Sequence, residues 1–295
     1  MSKIEWCDRT INPVVGCTRV SKGCENCYAE KMAGRGILQQ FPQYQEVNDG
    51  GKWNHQTAFV ASELEKPLRW RKPRRIFVCS MGDLFHESVP DEWIHAVVDV
   101  ARRCPQHTFQ LLTKRPERFA AFFDAYPAAY VGNPLALPSN IWLGVSVEDQ
   151  ATADERIPLL LRVPAAVRFV SAEPLLGPIA IDRYLSDWWH NRNSGVVTDD
   201  GPVESTGRLA WLICGGESGP GARPMHPDWA RGLRDQCQEA GVAFFLKQNG
   251  EFADSGTIPA SGVVEVAPGY EMIRVGKKQA GRELDGRTWE ECPDG

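Results

Sequence analysis

Three cysteines in one short loop carry the clearest chemistry in this sequence. Cys17, Cys24 and Cys27 are spaced Cys-x6-Cys-x2-Cys within residues 16–28. A structural zinc site closes its tetrahedron with four protein ligands. Three clustered thiols with no fourth at a matching spacing suggest instead a metal or cluster with one position left open, and an open position is where chemistry happens. Three thiolates can hold three irons of a cubane cluster and leave the fourth free. Zinc with a remote fourth ligand, such as Cys7 or His86, and a loop without metal are the other readings of the same residues.

A second set of residues recurs at the ends of apolar runs. Ser80, Asp83 and His86 follow one run, and Thr113, Lys114 and Arg115 follow the next. Then come Ser146 and Glu148, Ser171 and Glu173, Glu217 and Ser218, and finally Lys247, Gln248 and Asn249. If the runs are parallel strands, all these groups gather on one rim. Serines, threonines and aspartates there can equally cap the following helix, and the charged residues can form surface ion pairs. Lys114, Glu148, Glu173, Glu217 and Lys247 are not typical caps, so they point more directly to a polar ligand. The glycine-rich stretch 215–221 lets a backbone approach a ligand closely, but it lacks a nucleotide phosphate-loop pattern. Residues 66–75 hold six basic side chains around Trp70, a segment suited either to phosphate contact or to a solvated connector.

The elements that must position these groups follow a repeat. Apolar runs at 76–79, 108–112, 141–145, 167–170, 211–214 and 242–246 are mostly 25 to 45 residues apart. Helical patterns lie between them at 91–103, 116–126, 149–161 and 227–240, the last opening on Pro227 and stopping at Gly241. Strands alternating with helices imply a parallel sheet. Weaker strands near 12–15 and 57–61 raise the number of units to as many as eight, that of a closed barrel. Without them, a partial barrel or an open doubly wound sheet fits. The expected organisation is a single (β/α) barrel domain over 1–251, an insertion at 183–209 with a flexible tip, and a C-terminal extension over 252–295 packed on the barrel.

Bulk properties bound the class. A chain of 295 residues with 42% hydrophobic and 24% charged residues can bury a full core. No apolar run is long enough for a membrane span, and the N-terminus shows no secretory apolar segment, so a cytoplasmic protein is expected. Nine cysteines, six of them scattered, fit buried thiols in a reducing compartment better than a disulfide framework. A net charge of -5 argues against a broad nucleic-acid-coating surface, though not against a local basic groove.

A three-cysteine loop after the first strand of an α/β barrel resembles the radical S-adenosylmethionine superfamily. The chain more closely resembles the phage-associated three-Cys-motif proteins, a family of undefined function related to that superfamily. The resemblance runs through residues 4–6, 12–17, 23–30, 80–86, 112–116, 144–148, 171–175, 215–219, 247–250 and 281–287. It implies a radical-SAM-like (β/α) barrel with a 4Fe-4S cluster on Cys17, Cys24 and Cys27, and S-adenosyl-L-methionine on the unique iron. Reductive cleavage of that cofactor gives a 5′-deoxyadenosyl radical that abstracts hydrogen from a substrate. Cofactor contacts are expected at Ser80, Asp83, Ser146, Glu148 and Glu173, and substrate contacts at Lys114, Arg115, Glu217, Lys247 and Gln248. The expected substrate is a nucleic-acid base or nucleotide, for modification or repair, with an electron donor and a partner protein as further candidates. A cluster protein that does not use the cofactor, and a nucleic-acid-binding protein with a structural metal loop, are the alternatives. Three departures stand out. The superfamily's first cysteine gap is three residues rather than six, and an aromatic residue precedes its last cysteine, whereas here Tyr28 follows it. Its Gly-Gly-Glu, which holds the cofactor's amino group, follows an early strand, whereas Gly215-Gly216-Glu217 follows a late one and does not inherit that role.

Overall fold

A computed structural model describes residues 4–129, 137–163, 165–185, 197–198, 201–202, 208–255 and 263–293. Seven parallel strands form the central sheet: β1 (Arg9–Ile11), β2 (Arg75–Val78), β3 (Thr108–Thr113), β4 (Ile141–Val147), β5 (Val167–Ala172), β6 (Trp211–Gly215) and β7 (Ala243–Gln248). Their spatial order is their chain order. A doubly wound sheet would reverse direction partway, so the monotonic order makes this a partial (β/α) barrel.

The sheet is curled, and its rings show how far. The Trp6 ring lies 4.6 Å from Phe77 on β2 and 6.1 Å from Trp211 on β6. On a flat sheet those strands would stand about 19 Å apart, at ~4.8 Å per strand. One indole touches both because the strands bend around it. Residues alternate accordingly. Phe77, Trp142, Phe169, Trp211, Ile213 and Phe245 face Trp6 inside the barrel. Ile76, Val78, Leu143, Val145, Val170, Leu212 and Phe244 face outward into the main core.

The helices are α1 (Tyr28–Ala33), α2 (Pro42–Val47), α3 (Ala61–Arg69), α4 (Asp91–Arg103), α5 (Pro116–Ala129), α6 (Gln150–Arg162), α7 (Asp182–Leu185) and α8 (Pro227–Ala240), among others. α3 to α8 pack on that outer face, whereas α1 and α2 form a separate cluster with Val15, Trp53 and Ala58. On α4, Ile94, Val97, Val98 and Ala101 recur on the buried stripe of an amphipathic helix. α8 starts with Pro227 in its first turn and ends on Gly241 in the left-handed conformation, the expected proline-in, glycine-out pair.

The two weak early strands are corrected. The first sheet strand is Arg9–Ile11, upstream of the 12–15 run. Val14–Val15 instead pairs antiparallel with Ala58–Phe59 in a separate two-stranded ladder. The sheet therefore has seven strands and not eight. Most of the insertion read at 183–209 lies outside the described residues; a short antiparallel pair, Val197–Thr198 with Gly201–Pro202, is described within it. Beyond β7, the chain forms a three-stranded antiparallel sheet, β8 (Phe252–Asp254), β9 (Val263–Ala267) and β10 (Tyr270–Arg274), with β10 in the middle. The tail then returns to the barrel. Phe245 and Glu290 form an antiparallel bridge, and Leu246 N–H donates to the Trp289 carbonyl (2.9 Å). Among the described residues, no helix is long and apolar enough to cross a membrane.

Candidate active site at the open end of the partial barrel

The C-terminal ends of the strands open into a cavity of about 250 Å³. Its floor follows from the alternation inside the barrel. Leu112, Ser146, Ser171 and Lys247 are the last inward-facing residues of β3, β4, β5 and β7, one layer above the aromatic plug, and all four line the cavity. Cys17, Cys24 and Cys27 line it as well, together with Ser80, Asp83, Lys114, Arg115, Glu173, Glu217 and Gln248. Every residue expected at the site except Glu148 thus meets around one cavity. Glu148 sits behind the wall, 1% exposed.

The cysteine loop is positioned from both ends. Gly16 has φ +93°, open only to glycine in practice, and a Cβ there would collide with the Gln56 carbonyl. It turns the chain from the Val14–Val15 ladder into Cys17. At that end Arg115 is the anchor. Its guanidinium donates to Asp83 Oδ2 (3.1 Å), Glu87 Oε2 (3.0 Å), the Thr18 carbonyl (3.2 Å) and the Thr18 hydroxyl, and it lies 3.6 Å from Cys17 Sγ. Asp83 in turn accepts from Thr113 Oγ1 (2.8 Å) and the Phe85 N–H (2.9 Å). In the middle of the loop, Glu148 accepts from Ser21 Oγ (3.0 Å) and pairs with Lys114 and with buried Arg156 (3.2 Å). Gly23 allows this approach, since a Cβ there would stand 2.5 Å from the Glu148 carboxylate. At the far end, Tyr28 donates its hydroxyl to the Ser80 carbonyl (2.8 Å).

Arg115, Glu148 and Glu217, expected to meet ligand, also hold the cysteine loop through their charged groups. Burial pushes Glu217 upward, but hydrogen bonds from Arg223 and Asn26 outweigh it and hold the carboxylate below its usual range. Glu173 accepts from Ser171 Oγ (3.0 Å) and pairs with Lys247 (3.0 Å). Asn26, Arg156 and Arg223 escaped the sequence reading. Asn26 acts through Glu217, 191 residues away, Arg223 through a turn whose geometry is set by the fold, and Arg156 through Glu148, whose burial the sequence does not show.

The basic segment 66–75 precedes β2 and so lies at the opposite end of the strands from the cavity. Lys66 and Arg69 pair with Glu63 and Glu65 on α3. Of the proposed remote ligands, Cys7 is buried in the barrel interior, and both ring nitrogens of His86 are hydrogen-bonded, to Thr18 and Ser88.

All nine cysteines are free thiols. Burial pushes the Cys17 thiol up to about 12, with Asp83 adding to the rise and Arg115 opposing it. Burial also raises Cys27. Among the described residues, no three His, Cys, Asp or Glu side chains are arranged to hold a single metal ion. In an iron–sulfur cluster each thiolate binds its own iron, so the sulfurs need not converge on one point.

Comparison with solved structures finds spore photoproduct lyase. A Cys-to-Ser mutant of it is similar over 92% of this chain and 68% of its own, with a TM-score of 0.41 and 10% identity. A complex with dinucleoside spore photoproduct covers 90% and 68%, with a TM-score of 0.40 and 10% identity. A double mutant with bound AdoMet and the same dinucleoside covers 92% and 69%, with a TM-score of 0.42 and 10% identity. No curated protein matches the sequence. A family model described as "Protein of unknown function (DUF5131)" matches residues 1–293, and the chain belongs to that family.

Proposed function

We propose that this chain is a radical S-adenosylmethionine-type iron–sulfur enzyme. The observation that carries the reading is the placement of three free cysteines of one loop on the wall of a cavity at the C-terminal ends of a partial barrel. The donor set fits the group: three thiols, with no histidine or carboxylate among them, suit iron–sulfur ligation. Cys17, Cys24 and Cys27 would hold a 4Fe-4S cluster. When bound, the cluster and S-adenosyl-L-methionine would supply an electron and the 5′-deoxyadenosyl radical that takes a hydrogen atom from substrate.

The chain's own residues bind, orient and exclude water. The polar floor of Ser146, Ser171 and Lys247, with Ser80 and Glu173, offers contacts for the cofactor's charged and hydroxyl groups. Lys114, Arg115, Glu217, Lys247 and Gln248, all on the cavity wall, are the candidates for touching substrate. The charged side chains on the wall balance: Asp83, Glu173 and Glu217 against Lys114, Arg115 and Lys247. That balance supports a ligand part with little net charge rather than a run of phosphates. Trp6, Tyr28 and Phe77 on the wall offer flat apolar surface. The Trp6 indole N–H and the Gln248 amide oxygen are buried without a protein partner, leaving one donor and one acceptor. A nucleic-acid base suits these features.

The test is anaerobic reconstitution, with iron and sulfide counted, the reduced-state EPR spectrum recorded with and without S-adenosylmethionine, and 5′-deoxyadenosine assayed. About four irons per chain, a cofactor-perturbed spectrum, and product lost in the Cys17→Ala, Cys24→Ala and Cys27→Ala variants are expected. A cluster indifferent to the cofactor would leave an iron–sulfur protein of another chemistry. Zinc without iron would leave a structural metal loop.

A further inference from the structure

The first strand of the partial barrel, β1, shares no ladder with the late strands β6 and β7, yet the cavity needs walls on both sides of that gap. β1 leads into the cysteine loop, and β6 leads into the turn at Gly216–Gly221. Side chains join the two. Asn26 Nδ2 donates to Glu217 Oε2 (3.0 Å) and to the Gly221 carbonyl (2.8 Å), and Lys31 Nζ donates to the Pro220 carbonyl (2.9 Å). Arg223 spends all three guanidinium nitrogens on the same joint. Nε and Nη2 fork onto the two oxygens of Glu217 (3.0 and 2.8 Å). Nη2 also donates to the Lys22 carbonyl (2.9 Å), and Nη1 to Glu25 Oε2 (2.9 Å). Lys22 and Glu25 bracket Cys24. The approach is close enough that a Cβ on Gly221 would stand 2.8 Å from Asn26 Oδ1.

We infer that Arg223 is a positioning residue, a clasp that fixes the Cys24–Cys27 half of the loop against the late strands. Arg115 fixes the Cys17 half separately, through contacts with which Arg223 shares no partner. Forked pairing to a carboxylate is specific to arginine geometry. Arg223 thus adds to the Asn26, Ser21–Glu148 and Tyr28–Ser80 contacts on its half of the loop, and its loss loosens that half while leaving the Arg115 contacts in place. This concerns the chain itself, and it holds whatever the loop binds.

The two halves fall on different tryptic peptides, Thr10–Arg19 with Cys17 and Gly23–Lys31 with Cys24 and Cys27. The experiment is a timed iodoacetamide pulse on reduced, metal-free full-length protein, followed by mass spectrometry of each peptide. In Arg223→Gln, labelling of the Cys24/Cys27 peptide rises about five-fold or more, as local opening becomes easier, while the Cys17 peptide keeps its wild-type rate. An unchanged Cys24/Cys27 rate overturns the inference, and so does an equal rise at Cys17 while fully buried Cys214 stays protected. If Cys214 also reacts, the variant has unfolded, and Glu25→Gln then decides. It removes one exposed arm of the clasp, so faster Cys24/Cys27 labelling upholds the inference and an unchanged rate overturns it.

Discussion

The carboxylate of Glu217 shows how one side chain ties the site to pH. Burial alone would raise it, and Arg223 and Asn26 reverse that. A carboxylate whose folded value lies below its unfolded value of about 4.3 stabilises the fold above that value and loses the contribution as pH falls through the folded one. In Arg223→Gln, burial's upward push is left with less opposition, so Glu217 titrates at higher pH. Acid unfolding, followed by tryptophan fluorescence, is expected to begin at higher pH in the variant; coincident acid limbs would refute this. Cys17 gives a second pH prediction. With its thiol held up to about 12, its alkylation rate in metal-free protein keeps rising beyond pH 10, whereas an ordinary cysteine levels off above about 8.5. A plateau near pH 9 would show that the thiol is more solvated than its burial implies. Residue types at this site were legible in the sequence because parallel strands deliver their C-terminal residues to one rim. Partners were not legible. The sequence places Arg115 and Glu217 at the cavity but does not announce the counter-charges, Asp83 and Arg223, that folding brings to them.

At the scale of elements, the sequence spoke most clearly where apolar periodicity was long. Residues 91–103 and 227–240 were read as helices with the bounds they have in α4 and α8. The first strand was misplaced for a physical reason. Arg9–Ile11 contributes one fully buried side chain and takes its place from backbone pairing with β2, while Val14–Val15 is apolar because it packs under α2 in a side ladder. Short strands carry too few side chains to show a period. Two substitutions test the elements that seat the cysteine loop. Gly16→Ala forces a side chain into left-handed backbone against a carbonyl and is expected to cost at least about 1–3 kcal/mol, read from the denaturation midpoint. Asp149 caps α6 in a reciprocal box with Thr152, and the Thr152 hydroxyl also receives the Glu148 N–H (2.9 Å). Asp149→Ala is expected to cost about 1 kcal/mol, and to loosen Glu148 from Ser21.

At the scale of the molecule, the open edge of the partial barrel has to be covered, because an unpaired strand edge invites association. The tail does this. Residues 289–291 pair with β7, the Glu291 carbonyl accepts from the Trp211 indole at the centre of the plug (2.8 Å), and Cys292 meets Arg75 at the start of β2 (2.9 Å). The tail thus reaches from the last strand of the sheet to the second. Trp289 anchors it, buried against Phe244 with Arg234 and Arg287 over its ring. We therefore propose that the tail around Trp289 folds as one cooperative unit with the barrel rather than as a separable appendage. Trp289→Ala is expected to cost about 3–5 kcal/mol, with one unfolding transition at a lower denaturant midpoint in both tryptophan fluorescence and far-ultraviolet circular dichroism. A variant that instead unfolds in two steps, an early one for the tail and a late one at the wild-type midpoint, would show that the barrel stands without its cover. The seven strands would then have to close their edge by some other contact.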